Sequence, residues 1–169
     1  MSTRDQYVPR AIRGNVYGGL GVGDILDVPR ASVYRLANDP SIPNAASTPM
    51  VWDTLDYDTD GMWNSADPTK LTARTQGLYK ITAWISFSGN VTGYRQLELW
   101  RNAAYSFGHM LVLPPTVSTQ LNVTSDIVLN AGDYVTANAT QTGGGALFLD
   151  VGTALLRYHG LQACLISTT

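Results

Sequence analysis

The chain has 169 residues, 44% hydrophobic and only 14% charged, with a net charge of −2 and one cysteine. That length suits one domain burying about two-thirds of its unfolded surface. The small negative charge argues against a general nucleic-acid binder, the lone cysteine excludes an intrachain disulfide, and no apolar run is long enough for a membrane span.

Residues 1–32 are glycine-rich, hold two prolines and place apolar residues at no fixed period. They predict an extended anchoring arm ahead of a domain over 33–169. The first half of the arm carries Arg4, Arg10 and Arg13 against Asp5. An arm without a core of its own is ordered only by a partner surface, either neighbouring copies or a larger assembly. Gly18, Gly19, Gly21 and Gly23 lack the Gly-Lys-Ser/Thr ending of a phosphate loop, so flexibility explains them better. The opening MSTRDQYVPR has no apolar block of the signal-peptide kind, which predicts synthesis and folding in a cytosol.

Short strands are expected at 32–37 and 50–52, separated by a Pro- and Ala-rich loop. Asp56, Asp58, Asp60 and Asp67 then follow the spacing of a calcium loop, with Gly61 permitting the turn, and alternate carboxylates of this kind converge on a hard cation. The flanks are strand-like and Pro68 follows directly, so a solvated Asp-Gly turn competes with the calcium site.

The strongest strand signal lies within 71–101. Tyr79, Ile81, Ala83, Ile85 and Phe87 share one parity while Lys80, Thr82, Ser86 and Ser88 share the other, which is period two with one buried face. The polar break at 88–93 predicts a hairpin into 94–101, where Leu97 and Leu99 lie on one face and Glu98 on the other. Further strands are expected within 103–115, 117–130, 134–141, 146–151 and 161–167. Eight to ten strands without helical periodicity predict an all-β chain, and that number suits an antiparallel two-sheet jelly-roll sandwich. Trp84, Tyr94, Trp100 and Tyr134 fall on the parity opposite their strands' core residues, where a large aromatic needs a second sheet or another subunit. Cys164 sits in an apolar strand pattern and is expected to be a buried, inert thiol.

Chemistry has few footholds. His109 and His159 are far apart in sequence, Glu98 is the only glutamate, and no nucleophile elbow, His-Glu-x-x-His helix or Cys-x-x-Cys pair occurs. No catalytic residue is assigned.

Thr75-x-Gly77-Leu78-Tyr79 with its alternating strand, Leu97-x-Leu99-x-Arg101-Asn102, the run at 129–135 and the closing Tyr158-His159-Gly160-Leu161 resemble the C1q/TNF-like jelly roll. The similarity is closer to C1q-like domains of tailed-bacteriophage structural proteins, whose segment before that strand reads like Trp52-Asp53-Thr54 and Tyr57 to Trp63. The resemblance implies a non-enzymatic homotrimer, with Trp84, Tyr94, Trp100 and Tyr134 as candidate trimer-interface residues. It implies a virion location, after assembly in the host bacterial cytoplasm, with other virion proteins as partners and Arg4, Arg10 and Arg13 as candidate virion-anchoring residues. A minor tail or tail-tip protein would contact host cell-surface polysaccharide; a head decoration protein would contact the major capsid protein. A carbohydrate-binding module or depolymerase-like enzyme is the alternative of a different class. No nucleic acid, membrane or cofactor other than calcium is expected.

Overall fold

β6 (Gly77–Phe87) and β9 (Thr119–Leu129) pair antiparallel along their full eleven residues and form the spine of the molecule. Tyr79, Ile81, Ala83, Ile85 and Phe87 are all buried, as the alternation predicts. A computed structural model describes residues 28–36, 41–114, 117–150 and 157–168, and none of these is helical.

Around that spine the first sheet runs β4 (Thr54–Asp58), β1 (Arg30–Tyr34), β12 (Gly160–Ser167), β6, β9. The second runs β3 (Thr48–Pro49), β10 (Tyr134–Gln141), β7 (Arg95–Arg101), β8 (Tyr105–Val112), with β5 (Lys70–Thr72) also on β10. A small third sheet joins β11 (Leu147–Phe148) to β2 (Ser41–Ile42). Every strand pair in these ladders is antiparallel. Tyr79, Ile81, Leu161 and Ala163 of the first sheet and Leu71, Leu97, Leu99, Val135 and Ala137 of the second belong to one buried cluster, the filling of a sandwich. Twelve strands are present among the described residues against the eight to ten expected, the excess being two-residue pieces.

Three expectations are corrected. The hairpin across 88–93 does not form: β6 pairs with β12 and β9, whereas β7 pairs with β10 and β8, so the chain crosses between sheets there. Residues 50–52 alternate, with Met50 and Trp52 buried and Val51 exposed, but they form no strand: the Met50 amide bonds to the Ala137 carbonyl of β10 and the Trp52 amide turns to the Pro68 carbonyl in a loop. Cys164 is exposed, because Ala163 and Leu165 take the inward parity of β12 and place it on the outer face between Arg30 and Lys80.

The ends of the strands define two poles. Arg30 pairs with Cys164, and Leu78 with Ser167, so the described domain starts and finishes at one pole. Phe87, Arg95 and Gln141 lie at the other, about 35 Å away along an eleven-residue strand. At the pole of the termini, Asp133 ties two turns together. It accepts from Arg101 Nη2 at 2.7 Å, Asn102 Nδ2 at 2.7 Å and the Asn130 amide at 2.8 Å. Burial raises the Asp133 pKa, but these donors outweigh it and hold the carboxyl below its ordinary range.

Candidate functional site: an unburied edge strand and a loop pole

The rule that buries one face of each long strand fails in β8. Tyr105, Phe107, Met110, Leu111 and Val112 make it apolar, yet none of its eight residues is buried. It is the outermost strand of its sheet, with Leu111 51% exposed and Leu113, just beyond its end, 81% exposed. β8 leans onto β9 through Gly108, where a Cβ would stand 3.0 Å from Ser125 Cβ, and through the Ser125 hydroxyl, which donates to the Phe107 carbonyl at 3.0 Å. A long apolar edge left open is an aggregation hazard that natural sheets cover or blunt.

Beside this edge lies Trp84, half-buried on the outer face of β6. Its ring covers Gly160, where a Cβ would lie 2.2 Å from Cζ2, and its indole N–H donates to the Arg157 carbonyl at 2.8 Å. Trp84, Met110, Leu121, Asn122, Arg157 and Tyr158 line a shallow recess of about 410 Å³. The other three aromatics of the expected interface lie elsewhere. Trp100 on β7 and Tyr134 on β10 belong to the second sheet, and Tyr134 stacks under Lys70 Nζ at 4.5 Å. Tyr94 stands at the foot of β7, where its amide donates to Thr142 Oγ1 at 2.9 Å. The four therefore do not share one face.

The pole remote from the termini is built by two fully buried polar side chains that sequence reasoning missed. Arg95 donates Nη1 to the Thr92 and Tyr94 carbonyls, both at 2.9 Å, and Nη2 to the Asn90 carbonyl at 2.8 Å. Burial lowers its pKa, and its guanidinium lies 5.8 Å from the Phe87 ring centroid. Gln141 donates to the Ile42 and Gly145 carbonyls at 2.9 and 2.7 Å and accepts from the Gly143 amide at 2.5 Å. The left-handed Gly93 fits against Thr142, whose carbonyl oxygen would be 1.9 Å from a Cβ. The loops 41–47, 88–94 and 142–148 are thereby locked to one another. The one signal in the sequence was a charged residue on the inward parity of β7, in step with Leu97 and Leu99.

Ser86, Asp150 and His159 meet at this end as well, in a grouping that invites comparison with a hydrolase triad. The Ser86 amide donates to His159 Nδ1 at 3.2 Å, so that nitrogen is unprotonated, and Nε2 bonds the Asp150 carbonyl oxygen at 2.6 Å. The Ser86 hydroxyl donates to the Asp150 carboxylate at 2.5 Å. A triad needs the imidazole to accept from the serine hydroxyl, and here both ring nitrogens are committed to backbone. The cluster pins β11 and β12 to β6. His109 is exposed on β8 opposite Glu98.

The four aspartates of the calcium spacing have separate partners. Asp58 accepts from the amides of Asp60, Met62 and Trp63 at 3.2, 3.0 and 2.9 Å, Asp56 pairs with Arg157 at 2.6 Å, Asp60 accepts from Thr75 at 3.2 Å, and Asp67 pairs with Lys70. Among the described residues no three His, Cys, Asp or Glu side chains gather as a metal site. Arg4, Arg10 and Arg13 lie outside the described residues.

No family model matches the chain, and no curated protein matches it. Solved structures do. The globular domain of zebrafish complement 1qA protein superposes with a TM-score of 0.59 at 18% identity, over 83% of this chain and 99% of that one. Murine APRIL superposes with a TM-score of 0.63 at 12% identity, over 82% of this chain and 99% of that one. At such identities the likeness is one of fold, and the chain folds as a C1q/TNF-like jelly roll.

Proposed function

We propose that this chain is a non-enzymatic, homotrimeric display domain of a tailed-phage virion, fixed by its N-terminal arm and presented as a minor tail or tail-tip protein. The observation that carries self-association is β8, an apolar edge strand with no buried residue. A second exposed apolar patch, Leu55 at 44% and Tyr57 at 39%, lies on β4 at the opposite edge of the first sheet. Two different patches on opposite edges suit a heterologous contact, which closes into a ring when the rotation allows. An obligate interface of this kind buries more than about 2,000 Å².

Display is supported by the polarity of the domain. The first described strand begins at the pole of the termini, where Arg30 pairs with Cys164, and the locked loops occupy the far pole. The virion setting rests on the sequence resemblance, and the backbone commitments of His159 support a structural role for the Ser86 cluster.

Light scattering on the purified protein should give three times the 18.3 kDa chain mass, and Leu111→Asp should yield monomer. A wild-type monomer would refute the trimer. Cross-linking mass spectrometry on virions, through Lys70, Lys80 or the N-terminal amine, tests placement. Links to tail-tip proteins support the proposal; links to the major capsid protein would make it a head decoration protein, and absence from virions would sink the phage setting.

A further inference from the structure

We infer that His159 is an acid-sensitive pin: protonation at Nδ1 releases the segment 148–150 from β6 and loosens the loop pole while the sandwich stays folded. The contacts involved lie within one chain, so the inference stands apart from the trimer and from the phage setting.

The imidazole is 2% exposed, and both its nitrogens meet backbone groups that fix its protonation state. The Ser86 amide can only donate, so Nδ1 must hold a lone pair; the Asp150 carbonyl can only accept, so Nε2 must carry the hydrogen. The neutral ring fits this frame and the cation does not. A proton on Nδ1 would set two N–H groups against each other, break the bond at 3.2 Å and leave the Ser86 amide without its acceptor. Burial adds to the penalty, because a charged ring loses its hydration there.

This joint fastens a longer seam. The Asp150 amide donates to the Ser86 carbonyl at 2.8 Å, the Ser88 amide to the Phe148 carbonyl at 3.0 Å, and the Ser86 hydroxyl to the Asp150 carboxylate at 2.5 Å. Leu147 and Phe148 in turn pair with Ile42 and Ser41, and the Ile42 carbonyl accepts from Gln141 Nε2 at 2.9 Å. The segment thus connects β6 to the loops 41–47 and 142–148.

Among the described residues, one neighbouring charge opposes the effect. The Asp150 carboxylate favours a cationic ring, but its oxygens already accept from the Ser86 and Ser118 hydroxyls, and a proton at Nδ1 still displaces the Ser86 amide. Arg35, whose amide donates to the His159 carbonyl at 3.3 Å, and Arg157, two residues upstream and paired with Asp56, are cations and favour the neutral ring. Asp53 accepts from the Leu36 amide at 2.9 Å, Arg95 lies against the Phe87 ring, and the Tyr158 ring stands 6.5 Å from the imidazole, centroid to centroid. Residues 151–156 contain no ionisable side chain. A ring held neutral when pinned and free to protonate when released takes up one proton on opening. Opening is therefore favoured as pH falls through about 6.5, the ordinary histidine range, and the pin is at full strength above it.

The test uses the full-length protein carrying His109→Gln, which leaves His159 as its one imidazole. Nitrogen NMR of the ring at neutral pH should show a bare Nδ1 and a protonated Nε2. Amide exchange, corrected for its intrinsic pH dependence, reads the opening. Between about pH 7.5 and about pH 5.5, protection of the Ser86, Ser88 and Asp150 amides should fall about tenfold, the effect of one proton per opening. Amides in the middle of the β6–β9 ladder should keep theirs. With His159→Gln added, protection along 148–150 should no longer depend on pH in this window. A protonated Nδ1 at neutral pH, a ring that titrates with protection unchanged, an equal loss of protection throughout the β6–β9 ladder, or the same fall in the His159→Gln protein would each overturn the inference. The ring and exchange measurements need no substitution at 159, so they decide the matter even where His159→Gln does not fold.

Discussion

Gly160→Ala tests the packing of the Trp84 recess. Its backbone is outside the left-handed region, so alanine meets no conformational penalty, but the new methyl would stand 2.2 Å from Trp84 Cζ2, 2.4 Å from Cη2 and 2.7 Å from Cε2. Ordinary contact begins near 3.4 Å, so the ring must retreat by about 1.2 Å. Overpacking of this size costs about 1–3 kcal/mol, and loosening the indole bond to the Arg157 carbonyl adds about 1 kcal/mol. The expected loss is about 3 kcal/mol, or roughly 6–12 °C in Tm for a chain of this size. Thermal and urea unfolding at one fixed protein concentration measures it, since any oligomer links stability to concentration. The decisive comparison is a double-mutant cycle. With Trp84→Ala already present, Gly160→Ala should cost less than about 0.5 kcal/mol, because nothing remains for the methyl to meet. An equal loss in both backgrounds would show that the ring does not dictate glycine there.

Four further outcomes are expected. Arg95→Met removes three carbonyl bonds and should cost about 2–4 kcal/mol while speeding amide exchange across 88–94; unchanged stability would mean that burying the charge costs as much as its bonds contribute. Ala103 has φ 51 beside Asn102 at φ 50 in the β7–β8 turn, so Ala103→Gly should raise stability by about 0.5–1 kcal/mol, and a loss would refute the strain there. Asp133 has a lowered folded pKa, so its stabilisation is complete above its ordinary 3.8 and is lost as pH falls through the folded value; Asp133→Asn should flatten acid unfolding in that window, and an unchanged acid limb would remove Asp133 as a cause. Because the four aspartates of the calcium spacing have separate partners, millimolar calcium or chelator should leave Tm unmoved; a rise with calcium abolished by Asp58→Ala and Asp60→Ala would restore the metal site.

The sequence by itself determined the class of fold and the face that β6 and β9 bury. Period-two alternation is a local property, so Tyr79 to Phe87 and Leu121 to Leu129 declared their inward sides before any partner was known. The tight turn at 58–61 was equally legible, since an Asp-Gly sequence caps its own amides. Which strands pair is a non-local matter. The loop 88–94 has the polar composition of a hairpin, but it is held by Arg95 and Thr142, and Thr142 lies 48 residues on from the Tyr94 amide it receives. Only the tertiary structure decided that β6 and β7 enter different sheets, which in turn divided the four aromatics between two faces. The same holds for β8, whose apolar sequence resembles that of a buried strand. Burial depends on what packs over a strand, and only the assembled sheets show that, among the described residues, β8 is the outermost strand of its sheet with none of its residues buried.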